Sequence, residues 1–572
     1  MNRIFGIIIA LSFCTGCKSK NEETTRFVRQ SAEPVDGIRI AWDYSSIQQL
    51  APQAGRNLAY AGYPRLRRLA DGSLMAVYEA EGNAEFIQSK DNGKTWSAPA
   101  VVMHQVEYAN SKGKSTVIRI FNPELIQLQN GDLVFACDYR PVETEIAPYS
   151  IVIKRSKDLG KTWLKEQILF NAEPRFRDGC WEPALIQLPD GELRVYFANE
   201  APYINSDEQQ ISMLGSHDNG ETWDSEFKTV SFRANRRDGM PVPLLVDDEI
   251  IVSIEDNNIK EFKPYIIRTK LSDSGTLPAL ADSPTREYAL KEKLNDDVYA
   301  GAPYLIRLPS GEVILSYQTT RNRTSDWEKS TMEVAIGDKS GRNFDRLTQP
   351  FDVPIDREAK WSSLAVWDEH TVAALSATNF RTSSIGASMI LGHVIPELKA
   401  VYGTIQDESY FPVFIGQKGL ANLNATVKYD NSNFYVLVKV NDSQIYADPH
   451  NSERIDGVNL YVDAGNYGLS VPDTGLFKIE SNHLGQTKVY QGFEGKWEAI
   501  DLPEIQAKAT VRQAENYYTI EFQIPMASIH KKEQSPVRIN LELLEFTESA
   551  EYRESIANSD PNASNTWVKV EL

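Results

Sequence analysis

Cysteine is scarce. Only Cys14, Cys17, Cys137 and Cys180 occur in 572 residues, which excludes a small disulfide-stapled scaffold. Histidine is scarce too: the seven residues are scattered and show no Cys/His ligand spacing, so the sequence carries no metal site and implies no cofactor. Basic charge is in deficit, with 60 Lys+Arg against 79 Asp+Glu and a net charge of −19. That field repels nucleic acid and anionic membrane surfaces and favours neutral partners. The apolar run Ile4 to Phe13 is too short to span a bilayer. What is present, 41% hydrophobic and 24% charged residues with 28 Pro, 33 Gly and 25 Tyr, reads as globular and rich in turns and strands. At roughly 100 to 250 residues per domain the length predicts two to four domains.

Residues 1–16, with one positive charge at Arg3, the apolar run and then small residues, read as a cleaved secretory signal. Thr15-Gly16-Cys17 resembles a bacterial lipobox, with Cys14 where Leu is usual. The resemblance implies acylation of Cys17, a polar tether over 17–36, and residence in the cell envelope. The expected location is the outer membrane, facing outward or the periplasm, with the lipid as sole membrane contact. Cys137 and Cys180 then lie in an oxidising compartment, either as a disulfide or as two thiols.

An internal repeat is the strongest signal. Tyr63-Pro-Arg-Leu, Asn122-Pro-Glu-Leu, Glu182-Pro-Ala-Leu, Met240-Pro-Val-Pro, Ala302-Pro-Tyr-Leu and Trp361-Ser-Ser-Leu align. Their second residues stand at 64, 123, 183, 241, 303 and 362, spaced 59, 60, 58, 62 and 59 apart. Each copy reads as strand, Asp-Gly-like two-residue hairpin turn, strand, and two further strands. Three copies close on Ser89-x-Asp91-x-Gly93-x-x-Trp96, Ser156-x-Asp158-x-Gly160-x-x-Trp163 and Ser216-x-Asp218-x-Gly220-x-x-Trp223. This motif resembles the Asp box of sialidase-like propellers, and its carboxylates read as turn chemistry. The prediction is an all-β chain: a six-bladed β-propeller over 37–395, followed by a β-sandwich.

Propeller topology places the start of each inner strand and the end of each second strand on one face. The first set is Tyr63, Asn122, Glu182, Met240, Ala302 and Trp361, and the second is Glu79, Asp138, Ala198, Glu255, Gln318 and Ala377. Four carboxylates, Glu79, Asp138, Glu182 and Glu255, converge there. Glycoside hydrolysis needs one protonated and one ionised carboxyl group, and Glu182 and Glu255 are the expected pair. Against this stands the simpler reading that each merely accepts hydrogen bonds from neighbouring blades. Arg140, Arg177 and Arg237 are expected at the rim, binding substrate or pairing with local acids. Exposed Tyr63, Trp181, Tyr139 and Trp361 are candidate stacking platforms, with core packing as the alternative. By strand alternation Arg65 faces away from this site unless the backbone there is irregular.

Trp181-Glu182-Pro183, Leu193–Phe197, and Gly239-Met240-Pro241 leading to Ile254-Glu255 are similar to the family 93 exo-1,5-α-L-arabinanases. The resemblance implies a retaining pair at Glu182 and Glu255, with the two roles left open. A true exo-sialidase is the alternative. Gly62-Tyr63-Pro64 lacks that family's Arg-Ile-Pro and thus its first triad arginine.

From Leu398 the sixty-residue phase stops. Segments such as Asp456–Asp463 and Tyr518–Pro525 read as sandwich strands across 398–572. Their order resembles family 9 carbohydrate-binding modules, with Tyr410, Trp497 and Trp567 as sugar platforms or packing residues. The expected protein is a monomeric, exo-acting glycoside hydrolase on oligosaccharide or polysaccharide. The alternatives are hydrolysis of an acidic sugar, a non-catalytic glycan-binding lipoprotein, and a lyase or structural adaptor.

Overall fold

The structure is a computed structural model describing residues 29–51, 56, 58–273, 278–405, 410–416, 421–531 and 535–572. The expected signal segment, Cys17 and the first part of the expected tether lie outside them. The described chain is all-β, and its helical elements are short 3-10 turns.

Six sheets radiate from one axis. Blades 1 to 6 begin with the inner strands Ala61–Arg68, Ser115–Gln127, Cys180–Gln187, Asp238–Val246, Ala300–Arg307 and Ala359–Asp368. Each continues outward through antiparallel neighbours. Second strands such as Leu74–Ala80 and Leu193–Asn199 are buried at every position, because both faces of a blade are covered by the next blades. The apolar clusters therefore lie between blades: Met75, Val77 and Phe86 of blade 1 pack against Phe135, Cys137 and Val152 of blade 2. Blades 2 and 3 exceed the expected four strands, adding Val106–Ala109 at the inner edge of one and Ala279–Leu280 at the outer edge of the other.

Blades 4 and 6 have the expected two-residue turns, at Asp247-Asp248 and Glu369-His370, whereas the hairpins between first and second strands of blades 1, 2, 3 and 5 differ. In blade 1 the Leu69 N–H donates to the Ser73 carbonyl at 2.8 Å and the Gly72 N–H to the Leu69 carbonyl at 2.9 Å, giving a three-residue loop. Gly72, Gly131, Gly191 and Gly311 hold the left-handed position, with φ of 85°, 90°, 93° and 106°. A type I turn closed by a left-handed Gly needs one such residue, where a type I′ turn needs two. The Asp boxes serve as turn chemistry. Asp158 Oδ1 accepts the Thr162 N–H at 2.8 Å, and the Ser156 hydroxyl accepts the Gly160 N–H at 2.9 Å. Blades 1 and 3 repeat both bonds.

Blade 6 takes its outermost strand from the start of the propeller. Arg39–Gln49 pairs antiparallel with Gly386–Ile395, from Arg39 opposite Ile395 to Gln49 opposite Ser388. This closes the ring non-covalently, with Arg39–Gln49 as the outer edge of the blade. A chain beginning at residue 50 is expected to lose cooperative unfolding and to become protease-sensitive in blade 6. Limited proteolysis and thermal melting check this, and an unchanged melting curve contradicts it.

Two further sheets form the sandwich. One carries Gly457–Asp463 between Val537–Phe546 and Leu476–Asn482, and the other carries Asn433–Asn441 between Asn422–Tyr429 and Tyr517–Pro525. Alternation is strict in Tyr517–Pro525, where Tyr518, Ile520, Phe522 and Ile524 enter the core. Trp567, a candidate platform, is wholly buried against Tyr461, Leu469 and Leu476. Trp497 packs on Tyr461 and donates to Asn562 at 2.9 Å. Tyr410 is exposed and lies beside His370 of the propeller. Trp567→Ala is accordingly expected to cost roughly 3–5 kcal/mol of sandwich stability, read by urea unfolding; a loss below ~1 kcal/mol contradicts it.

Candidate active site

Every inner strand carries a bulge at the aligned position. Tyr63, Asn122, Glu182, Met240, Ala302 and Trp361 have φ of 48°, 49°, 58°, 51°, 48° and 53°. In each blade the pairing register slips across that residue, for example between Gly62 and Arg65 or Gly239 and Val242. A left-handed non-glycine residue costs about 1–3 kcal/mol and a bulge re-aims side chains. Here it also leaves an amide without a ladder partner.

In four blades the amide is taken by a residue near the end of the preceding blade's second strand. Glu79 Oε1 accepts the Asn122 N–H at 2.8 Å, Glu255 Oε2 the Ala302 N–H at 2.8 Å, and Gln318 Oε1 the Trp361 N–H at 2.7 Å. Asp138 Oδ1 accepts the Glu182 N–H at 3.4 Å. Blade 3 has Ala198 at this place, opposite Trp181. The Met240 amide of blade 4 donates instead to Glu182 Oε2 at 3.1 Å. Each of these side chains thus first joins one blade to the next.

Burial separates the four carboxylates. Asp138 and Glu79 are closed off, at 0% and 3% exposure. Glu182 and Glu255 are half-buried. Burial pushes Glu182 up to about 8, the charge of Glu255 adds to the rise, and Arg140 and the Met240 amide oppose it. Burial pushes Glu255 to about 7, against the Ala302 amide and the field of Arg237. Glu79 also reaches about 7 by burial, while Asp138 rises by burial against Arg140.

The arginines are already engaged. Arg140 donates to Asp138 at 2.5 Å and to Asn122, with its guanidinium 4.8 Å from the Trp181 ring centroid. Arg237 pairs with Glu200 and donates to Gln209 at 2.5 Å. Arg177 is more than half exposed and pairs with Asp207 at 2.7 Å, bonded away from the four carboxylates. Arg65 turns inward because the bulge breaks the alternation: it lies 3.8 Å from the Tyr63 ring centroid and 3.3 Å from Glu124. Three expected platforms are not exposed. Tyr63, Trp181 and Tyr139 are buried at 4%, 6% and 8%, because blade-to-blade packing and the arginines cover their rings, and Trp361 alone is partly open. Cys137 and Cys180 are separate buried thiols.

Two tyrosines escaped the sequence reading although a motif announces them. Tyr60-Ala-Gly62-Tyr63-Pro64 and Tyr299-Ala-Gly301-Ala302-Pro303 are the same pentapeptide pattern in blades 1 and 5. Tyr60 bonds Glu79 through its hydroxyl, and Tyr299 accepts from Gln318 at 2.9 Å. A Cβ at Gly62 would strike the Tyr60 hydroxyl, and one at Gly301 would strike both the Tyr299 hydroxyl and Glu255 Oε2. Only glycine leaves room for phenol and carboxylate to meet.

Fold and site together define a β-propeller whose funnel carries a carboxylate pair, joined to a β-sandwich. Residues 42–258 match the BNR repeat-like domain and residues 397–571 the carbohydrate family 9 binding domain-like family. The chain is 23% identical over 230 residues to endo-1,4-β-xylanase A of Thermotoga neapolitana, spanning 38% of this chain and 20% of that enzyme. Among solved structures it is similar to a protein of unknown function from Dyadobacter fermentans, at TM-score 0.45 and 14% identity, covering 64% of this chain and 99% of the other. It is also similar to the GH93 α-L-arabinofuranosidase of Fusarium graminearum, solved with arabinobiose, at TM-score 0.43 and 17% identity, covering 62% and 97%.

A carboxyl group held above its ordinary value binds its proton more tightly in the folded than in the unfolded chain. Stability then falls as pH rises from the unfolded value toward about 8. Glu182→Gln removes that penalty. Its melting temperature is expected to exceed the parent's at about pH 9, with the gap closing near pH 4; equal melting at about pH 9 contradicts the assignment.

Proposed function

We propose that the propeller is an exo-acting glycoside hydrolase in which Glu182 is the proton donor and Glu255 the nucleophile or base. The carrying observation is that, of the four carboxylates around the funnel, these two are only half-buried and the charge of one, Glu255, raises the other, Glu182. Two nearby carboxyl groups cannot easily both ionise, so one stays protonated near neutral pH. Glu182 keeps its proton to the higher pH. Glu255 ionises first because the Ala302 amide and Arg237 stabilise its anion. Glu182 then protonates the departing glycosidic oxygen, while Glu255 attacks the anomeric carbon or deprotonates a water that does. The resemblance of the sequence around both residues to family 93 exo-arabinanases supports a retaining course and makes 1,5-α-L-arabinan oligosaccharides the first substrate to test.

The cations favour an uncharged sugar over an acidic one. Arg65, Arg140, Arg177, Arg237 and Lys360 each hold a carboxylate of the protein itself. A substrate carboxylate would have to displace one of these partners at a funnel rich in acidic groups. Envelope anchoring through Cys17 belongs to the same proposal: a tethered enzyme at the cell surface, meeting polysaccharide fragments.

Glu182→Gln and Glu255→Gln are each expected to lower kcat on an unactivated oligosaccharide by roughly 10²–10⁴-fold or more. Only Glu182→Gln should regain rate on a dinitrophenyl glycoside, whose leaving group needs no proton, and in a retaining course azide should give Glu255→Ala a glycosyl azide of inverted configuration. The parent's kcat/KM should be bell-shaped with its optimum between about 7 and about 8, since Glu255 must be ionised and Glu182 protonated. Full activity in either Gln variant overturns the assignment.

A further inference from the structure

The loop between the second and third strands of blade 5 ends in a short turn, Trp327–Lys329. Trp327 is 42% exposed, yet the turn that carries it is firmly held. Asp326 accepts the Glu328 N–H at 3.0 Å, and Arg323 donates to the Lys329 carbonyl at 2.6 Å. The neighbouring Glu328 pairs with buried Lys360, whose ammonium lies 4.8 Å from the Trp327 ring centroid. The Trp327 ring centroid is 6.1 Å from that of Tyr299 and 6.3 Å from that of Trp361, at interplanar angles of 56° and 67°. Tyr299 in turn shares the space over Gly301 with Glu255 Oε2. A single aromatic contact therefore connects this exposed indole to the proposed nucleophile.

A large ring left in water on a preorganised turn gains free energy when an apolar surface covers it, and little ordering entropy is lost in doing so. The electron-rich face of an indole suits the C–H face of a sugar ring, whose hydroxyls can remain in water at the edges. Lys360 is already paired twice, with Glu328 and Glu358, so the corner is not built to capture an anion.

We propose that Trp327 and Trp361 form a platform subsite for a second, uncharged sugar ring, next to the ring held between Glu182 and Glu255. This rests on the glycosidase reading of the funnel, and two separate readouts keep the two ideas apart. Binding is measured by calorimetry in the Glu182→Gln protein with arabinose, arabinotriose and xylotriose as probes, and turnover is measured in the parent. Trp327→Ala is expected to weaken binding of a trisaccharide tenfold or more and to leave arabinose unchanged, while Trp327→Phe retains most of the affinity. Thermal melting of each variant confirms that the fold is intact. Trisaccharide affinity that ignores Trp327, or no binding of any probe at millimolar concentration, overturns the subsite. Binding that depends on Trp327 without turnover in the parent overturns hydrolysis and leaves the subsite standing. Turnover whose dependence on chain length survives Trp327→Ala overturns the subsite and leaves hydrolysis standing.

Discussion

The left-handed residue at the start of each inner strand is the constraint from which the site follows. An unpaired amide in a dry interior costs free energy, and at five of the six bulges, all but that of Tyr63, a side chain of the preceding blade accepts it. Short polar side chains at the ends of second strands supply four of these acceptors, and this requirement draws Glu79, Asp138, Glu255 and Gln318 to the axis. Burial at the axis then raises the carboxylates toward neutrality. The perturbed ionisation that glycoside chemistry needs is thus a by-product of closing the ring. For Glu255 the two roles coincide, because the amide that fixes its position also stabilises its anion.

Charge below the funnel floor is balanced separately. Past the bulge the next inward residue of blade 1 is Arg65, and of blade 2 Glu124; they form a buried pair that Arg67 joins at 2.7 Å from Glu124. Arg67 also donates to the Tyr304 hydroxyl at 2.8 Å, linking blade 5. A buried ion pair is a poor source of stability but fixes geometry when fully bonded. This layer ties blades 1, 2 and 5 beneath the floor, while above it the carboxylates remain in excess.

The period of the repeat made the blades legible, together with the facing pairs Gly62/Glu79, Phe121/Asp138, Gly239/Glu255 and Gly301/Gln318 that precede each bulge. Strand alternation is a rule for regular backbone, and it misplaced Arg65 because nothing in Tyr63-Pro64 announces a positive φ at a bulky residue. Exposure was the other weak point. A tyrosine or tryptophan at the start of an inner strand reads as a platform, but the packing of adjacent blades buries Tyr63 and Trp181, and that depends on contacts sixty residues away. Trp327 was invisible for the opposite reason, since it lies in a loop outside the repeat. Tyr299 was within reach, because its pentapeptide recurs at Tyr60.

Departures from the repeat carry the functional information. Four blades pass the acceptor role along in the same way, whereas blades 3 and 6 have alanine, at 198 and 377. The amide of Met240 then turns to Glu182, which is itself a left-handed residue and projects its carboxyl group across to blade 4. Glu182, reaching out from the bulge itself, is half-buried, whereas Glu79 and Asp138, reaching out from the ends of second strands, are sealed. The broken position thus brings Glu182 within electrostatic reach of Glu255, which follows the rule and is itself only half-buried, while the other acceptors hold the ring closed around them. A propeller made wholly of rule-following blades would be tighter and would have no such pair.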